Sequence, residues 1–232
     1  MNHCIILAGG IGSRMNLDIP KQYYRVNGIP IIMYSINKFA HSGLIDSIVI
    51  VLANEWRGFM EECLSGEQYP CKIHYAEAGK SRQHSVWNGL NIIKRYAMDG
   101  DIVLVHDAVR PYFPISNISE GIDACKEYDA ALPVIPVKDA TYQSSNGVII
   151  SSILPRHELY SGQSPECFAF QKFYQAHGRF SDEELSTIRG CAELAFRANL
   201  SIKLIPGCEQ NFKLTTIEDM KAFELSVNKT FS

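Results

Sequence analysis

Two cations stand just beyond a glycine-rich turn. Residues Ala8-Gly9-Gly10-Ile11-Gly12 follow the apolar run Ile5-Ile6-Leu7, and Arg14 and Lys21 come next in the chain. Small residues let backbone N–H groups approach a phosphate closely, and an arginine and a lysine supply the charge that such a loop lacks. A nucleoside triphosphate suits that combination. The plainer reading of the same stretch is a glycine turn at a strand end with solvated charges. Spacing excludes two familiar phosphate loops: Met15 stands where a dinucleotide loop needs a small residue, and His74, not glycine, stands five residues before Gly79-Lys80-Ser81.

Two further groups have the types and positions for chemistry. Gly79-Lys80-Ser81-Arg82-Gln83-His84-Ser85 leads into a helix, and Arg82 and Ser85 share a face of its first turn, where unpaired N–H groups favour an anionic or polar guest. A plainly capped helix is the alternative. Asp107 ends the run Ile102-Val103-Leu104-Val105-His106, and a carboxylate at a strand's C-terminal edge can hold Mg²⁺ or polyol hydroxyls. It can equally cap a turn with Arg110 as its partner.

The elements that must position these groups are legible as strands alternating with helices. Strands are predicted at Ile5–Leu7, Ser47–Leu52, Lys72–Ala76, from Ile102, at Ala130–Val137 and at Ser201–Ile205, with Ser47–Leu52 the clearest β-branched run. Helices are predicted from Ile29 to Phe39 and over 55–64, 83–96, 116–128, 182–196 and 217–227. The pattern predicts an α/β fold: a single doubly wound, mostly parallel sheet, spanning residues 1–232 as one domain, with its ligand edge at the strands' C-terminal ends. Ser145-Asn146-Gly147 between alternating runs predicts a hairpin with Val148–Ser151 as its returning strand. A polar hairpin inserted after a core strand cannot bury itself, so it is expected to protrude as an arm, over roughly 138–163, onto a partner subunit.

Composition narrows the classes. The 232 residues are 46% hydrophobic and 20% charged, ordinary for a globular chain, and the net charge of −3 gives no basic footprint for nucleic acid. There is no apolar run of membrane-spanning length and no signal-like start, so the expected location is cytoplasmic, without membrane contact. Seven scattered cysteines with no Cys-x-x-Cys read as reduced thiols rather than a disulfide framework or a zinc site.

Taken together, the ordered motifs resemble the cytidylyltransferases of isoprenoid and teichoic-acid precursor synthesis, within the sugar and polyol nucleotidyltransferase superfamily. The similarity rests on Leu7-Ala8-Gly9-Gly10-Ile11-Gly12-Ser13-Arg14-Met15 with Pro20-Lys21-Gln22, on Gly79-x-x-Arg82-x-x-Ser85-Val86, and on His106-Asp107-Ala108-x-Arg110-Pro111. It continues through Arg156, Leu159-Tyr160 with Gln163-Ser164-Pro165-Glu166-x-Phe168, and Asn211-x-Lys213-Leu214-Thr215. In the family's second glutamine position this chain has Glu166.

The resemblance implies that CTP is coupled to a polyol phosphate, giving a CDP-alditol and pyrophosphate, with Mg²⁺ bound mainly through the CTP phosphates. It implies catalytic roles for Arg14, Lys21 and Lys213. It places nucleotide contacts at Leu7, Ala8, Gly9, Gly10, Gly12, Gly79, Arg82, Ser85, Asp107 and Ala108, and acceptor contacts at Asp107, Asp139, Ala140, Arg156 and Lys213. Asp107 is the candidate metal ligand, while His106 packs beneath the site. The family's arm interlocks two protomers, so a homodimer is implied, with Arg156 reaching the neighbouring site. No general base is needed, because the attacking phosphate is already ionised; the cations overcome the mutual repulsion of two anions.

Ribitol 5-phosphate is the expected acceptor, from Leu159-Tyr160-x-Gly162-Gln163-Ser164-Pro165 and Ser181-Asp182-Glu183-Glu184; methylerythritol 4-phosphate is the alternative. The chain departs from the family at Ala140 (threonine is usual), at Arg189-Gly190 (Thr-Asp) and at Lys80 (acidic). A nucleotide-binding subunit without catalysis would be marked by loss of Arg14, Lys21 or Lys213, and all three are present. A uridylyl- or guanylyltransferase is the remaining enzymatic alternative.

Overall fold

Continuous apolar runs form the middle of the sheet because both faces of each strand are covered. In the computed structural model, which describes residues 1–10 and 19–230, the strands are β1 (Asn2–Leu7), β2 (Arg25–Val26), β3 (Ile29–Pro30), β4 (Ser47–Leu52), β5 (Lys72–Glu77) and β6 (Ile102–Asp107). They continue as β7 (Ala130–Pro136), β8 (Thr141–Gln143), β9 (Ser152–Leu154), β10 (Tyr160–Gly162), β11 (Glu166–Ala169) and β12 (Ile202–Pro206). The helices are α1 (Ile31–Ala40), α2 (Arg57–Leu64), α3 (Arg82–Ile93), α4 (Ser116–Ala124), α5 (Phe170–His177), α6 (Asp182–Thr187), α7 (Cys191–Arg197) and α8 (Ile217–Thr230).

The main sheet pairs in the order β5-β4-β1-β6-β11-β7; β10 continues beyond β11 along the same edge of β7, and β12 pairs with its other edge. β1 is parallel to β4 and β6, β4 to β5, and β12 to β7, while β10 and β11 run antiparallel to their neighbours. Register places Leu7 beside Asp107 and Val51 beside Ala76, so β1, β6, β4 and β5 end on one edge.

Side chains alternate between the two faces. Ile6, Ile50 and Leu104 pack with Ile32, Ile36 and Phe39 of α1, whereas Ile5, Val49 and Val103 pack with Val86, Leu90 and Ile93 of α3 and with α5 and α7. Leu214, Met220 and Phe223 seat α8 against Val26 and Ile31.

Three expectations are corrected. The predicted helix over 182–196 is two: Ile188 leaves helical geometry and Gly190 starts α7 in extended backbone, while Ser181 and Glu184 form a capping box on α6. The arm hairpin exists, but its returning strand is Ser152–Leu154, so Tyr142 faces Ile153 across a longer loop. That loop wins over a tight Asn-Gly turn because Asn146 Oδ1 accepts from the N–H groups of Val148 and Ile149, and Ser144 Oγ accepts from Gly147 N–H and donates to Ile149 O. Finally, β10, β11 and α5 arise where no element was predicted.

Candidate active site

The loop after β1 is held from below by side chains that follow it. Buried Gln22 donates through Nε2 to Ala8 O and Gly10 O, both at 2.7 Å, and Tyr23 OH donates to Ala8 O at 3.1 Å. Tyr23 is itself fixed by stacking on Trp56 at 4.4 Å between ring centroids. Two glycines are required by close approach: a Cβ at Gly9 would stand 2.4 Å from Ala78 Cβ, and one at Gly79 would stand 2.4 Å from His84 Cβ.

The second wall is the start of α3. Ser81 caps it by accepting from His84 N–H. Ser85 Oγ accepts from Gly79 N–H at 3.0 Å and donates to Ser81 O at 3.1 Å, locking the loop to the helix. Lys80 reaches outward to Asp182 Oδ2 of α6 at 3.0 Å.

The third wall is the end of β6. Lys213 Nζ donates to Asp107 Oδ2 at 2.8 Å, Arg82 Nη2 lies 3.4 Å from Oδ1, and Arg110 Nε lies 3.8 Å from Oδ2. Burial pushes the Asp107 carboxyl up, but Arg82, Lys213 and Arg110 outweigh it and hold the group well below the usual carboxylate range. Arg82 Nη2 also donates to Glu166 Oε1 at 3.0 Å and Nη1 to Cys191 Sγ at 2.9 Å. Burial works against the Arg82 charge, yet Cys191, Asp107 and Glu166 raise it well above its ordinary value. The segment carrying Lys213 is clamped by Asn211, which donates to Ser164 O at 2.8 Å and accepts at its carbonyl from Arg110 Nη1 at 2.6 Å.

His106 lies fully buried beneath this wall, between Ser164 Oγ at 3.0 Å and Arg110 O at 3.1 Å, and against Phe39 and Phe113. Burial pushes its pKa down to about 3, so it is a neutral support and not a base.

The walls enclose a cavity of about 510 Å³ lined by Leu7, Gly9, Gly10, Lys21, Gln22, Gly79, Lys80, Ser81, Arg82, Ser85, Asp107, Val109 and Lys213. Four cations and one carboxylate on that wall suit a polyanionic guest. Most of the expected site residues therefore meet there.

Others do not. Ala8 and Ala108 lie beneath the wall, with their N–H groups spent on Val51 O and Leu7 O. Asp139, Ala140 and Arg156 sit on the exposed arm, away from this chain's own cavity, with Arg156 Nη1 donating to Lys138 O at 3.2 Å. Gly12 and Arg14 lie outside the described residues.

No cluster of three or more metal-ligating side chains occurs among the described residues. Both Asp107 oxygens already face cations, so the donor set fits Mg²⁺ only with substrate phosphates supplying most of its oxygen ligands. Sequence reasoning noticed Glu166 only as a departure from a motif and missed Cys191; their convergence on Arg82 is tertiary, with no local signal.

Comparison with known proteins places the chain in a family. The family model described as "IspD: 2-C-methyl-D-erythritol 4-phosphate cytidylyltransferase" matches residues 2–229. A 2-C-methyl-D-erythritol 4-phosphate cytidylyltransferase of Clostridium novyi (strain NT) is 34% identical over 220 residues, covering 94% of this chain and 93% of the relative. A ribitol-5-phosphate cytidylyltransferase of Streptococcus pneumoniae (strain ATCC BAA-255 / R6) is 31% identical over 229 residues, covering 97% of each. Among solved structures, the 2-C-methyl-D-erythritol 4-phosphate cytidylyltransferase of Francisella tularensis superposes with a TM-score of 0.81 at 26% identity, covering 97% of this chain and 98% of that one.

Proposed function

Since the chain belongs to the IspD family of cytidylyltransferases, we propose that it couples CTP to D-ribitol 5-phosphate, giving CDP-ribitol and pyrophosphate. The observation that carries the chemistry is the Lys213–Asp107–Arg82 cluster facing the glycine loop across one cavity. A non-bridging oxygen of the acceptor phosphate attacks the α-phosphorus of CTP; the bond from that phosphorus to the oxygen bridging to the β-phosphorus breaks, and pyrophosphate leaves with the electron pair. Lys213 holds the acceptor phosphate, and Lys21 with Arg14 holds the triphosphate. Asp107 would border a Mg²⁺ brought in on the CTP phosphates, and such an ion would supply charge neutralisation at the leaving group.

The acceptor assignment rests on the ribitol-like segments Leu159–Pro165 and Ser181–Glu184 and is supported by the similarity to the Streptococcus relative. The second reading, methylerythritol 4-phosphate, is favoured by the slightly higher identity to the Clostridium relative. The arm presents Val148, Ile149, Ile150 and Ile153 to solvent, and we take a second copy to cover them and to receive Arg156 at its site. Seven free cysteines accord with a cytoplasmic enzyme.

Pyrophosphate release with CTP and Mg²⁺ tests the assignment, with the two acceptors offered separately. Turnover of ribitol 5-phosphate alone supports it. Turnover of methylerythritol phosphate alone replaces it with the second reading, and no product with either overturns both.

A further inference from the structure

Glu166 opens β11 beside Val105 of β6 and is almost wholly buried. Its two carboxylate oxygens meet two different donors. Oε1 accepts from Arg82 Nη2 at 3.0 Å, and Oε2 accepts from the backbone N–H of Ala192, in the first turn of α7, at 3.0 Å. Arg82 thus has Glu166 on one branch of its fork and Cys191 Sγ, from the same helix start, on the other. The longer contact, 3.4 Å to Asp107, is the weaker of its carboxylate pairings.

We propose that Glu166 is a positioning residue for cytidylyl transfer: it pins the Arg82 guanidinium to α7, which leaves Asp107 free to hold Lys213. The physical reason is donor matching. Two donors converge on residue 166, and only an acceptor on both sides can satisfy them. A glutamine there would turn its –NH₂ toward either Arg82 or Ala192 N–H, leaving one buried donor unpaired. Arg82, released from residue 166, would close onto Asp107 as a bidentate pair and compete with Lys213, which now sits 2.8 Å from that carboxylate.

The same geometry explains where a glutamine could be accommodated. Gly190 occupies the N-cap of α7 in extended backbone, φ −137° and ψ 156°, and a Cβ built there meets nothing within 4 Å. An aspartate at that N-cap would accept from the N–H groups of the first turn, Ala192 included, and so free a glutamine oxygen at position 166 to serve Arg82 alone. Positions 166 and 190 are on this reading coupled through the Ala192 N–H, which either one can satisfy.

The test reads Arg82 directly and does not depend on which acceptor is correct. Arginine side-chain ¹⁵N–¹H spectra of the labelled protein, with R82K assigning the Arg82 signals, should show slowed guanidinium rotation and protected Nη protons in the wild type. In E166Q these features should disappear and kcat/KM for the acceptor should fall roughly 10- to 100-fold, the usual cost of losing a hydrogen bond to a charged group. E166Q/G190D should recover both. Glu166→Asp keeps the charge but is one methylene too short to span both donors, and should behave like E166Q. Protected Arg82 signals in E166Q, a double variant no better than E166Q, or full activity in E166D would each overturn the proposal. Absence of turnover in the wild type would refute the assigned reaction instead, while the spectra would still decide the role of Glu166.

Discussion

Lys213→Met is the most informative single perturbation, because it removes a charge while keeping the aliphatic stem. Lys213 Nζ lies 2.8 Å from Asp107 Oδ2 and its side chain is 38% exposed. In a surface-like dielectric, an effective ε of about 20, the bare attraction at that distance is of order 6 kcal/mol. Solvent screening and the remaining neighbours of Asp107 reduce its net worth to folding to about 1 kcal/mol or less. Stability should therefore change little, a shift in urea midpoint of a few tenths molar. Catalysis should change much more, since in the proposed reaction the ammonium offsets charge where two anions meet: the loss expected in acceptor kcat/KM is roughly 10²–10³-fold, as for other preorganised electrostatic donors. Steady-state pyrophosphate release, varying acceptor at saturating CTP, measures it, and calorimetric titration with CTP alone should give a dissociation constant within about threefold of wild type. A loss under tenfold, or a fall in CTP affinity matching the loss in turnover, would refute the assignment of Lys213 to the acceptor phosphate.

Three further outcomes are expected. Gly79→Ala puts a methyl group 2.4 Å from His84 Cβ and 2.9 Å from Ser85 N; it should destabilise the fold by about 1–3 kcal/mol, as overpacking does, and weaken CTP binding in the same titration. For pH, the Asp107 carboxyl is held below its unfolded value: burial raises it, but Arg82, Lys213 and Arg110 lower it further. Its contribution to stability is then complete above roughly pH 4, where unfolded aspartates ionise, and is lost as pH falls. The stability gap between wild type and Asp107→Asn, from urea denaturation, should accordingly stay level from pH 7 down to about pH 5 and narrow as the pH is taken below about 4; a gap that widens there would contradict it. On the arm, Ile149 and Ile153 are 69% and 70% exposed, and I149D/I153D should convert the proposed dimer to monomers in sedimentation velocity and abolish turnover while leaving the far-UV circular dichroism spectrum unchanged; a monomeric wild type would refute it.

The centre of the fold was legible because uninterrupted β-branched runs, such as Ser47–Leu52, have no other stable destination than a sheet covered on both sides. Strands β10 and β11 were not legible. They lie along one side of β7, and the chain between them, Gln163-Ser164-Pro165, steps off the ladder so that Ser164 Oγ can accept from Asp107 N–H. A glycine, a glutamine and a proline in seven residues erase any alternation. The break between α6 and α7 was marked only by Gly190, because Asp182–Phe196 otherwise has helical composition. At the site, Asp107 and Arg82 could be placed from sequence because each follows or ends a predicted strand. Glu166 could not, since its meaning depends on β11 inserting antiparallel between β6 and β7.

That insertion also decides how the charges are kept. In this structure Lys213 and Arg110 rest on Asp107, and Arg82 on Glu166, so cations are stationed at the cavity wall without repelling one another. The carboxylates are fixed in turn by structure: Asp107 through its N–H to Ser164 Oγ, and Glu166 through the first turn of α7. A phosphate entering the cavity then meets donors that are already oriented, and only the partner of Lys213, the most exposed of the three, must change. On the proposed reaction, the electrostatic stabilisation of the transferring group is thereby set up by folding, with little reorganisation left for the chemical step.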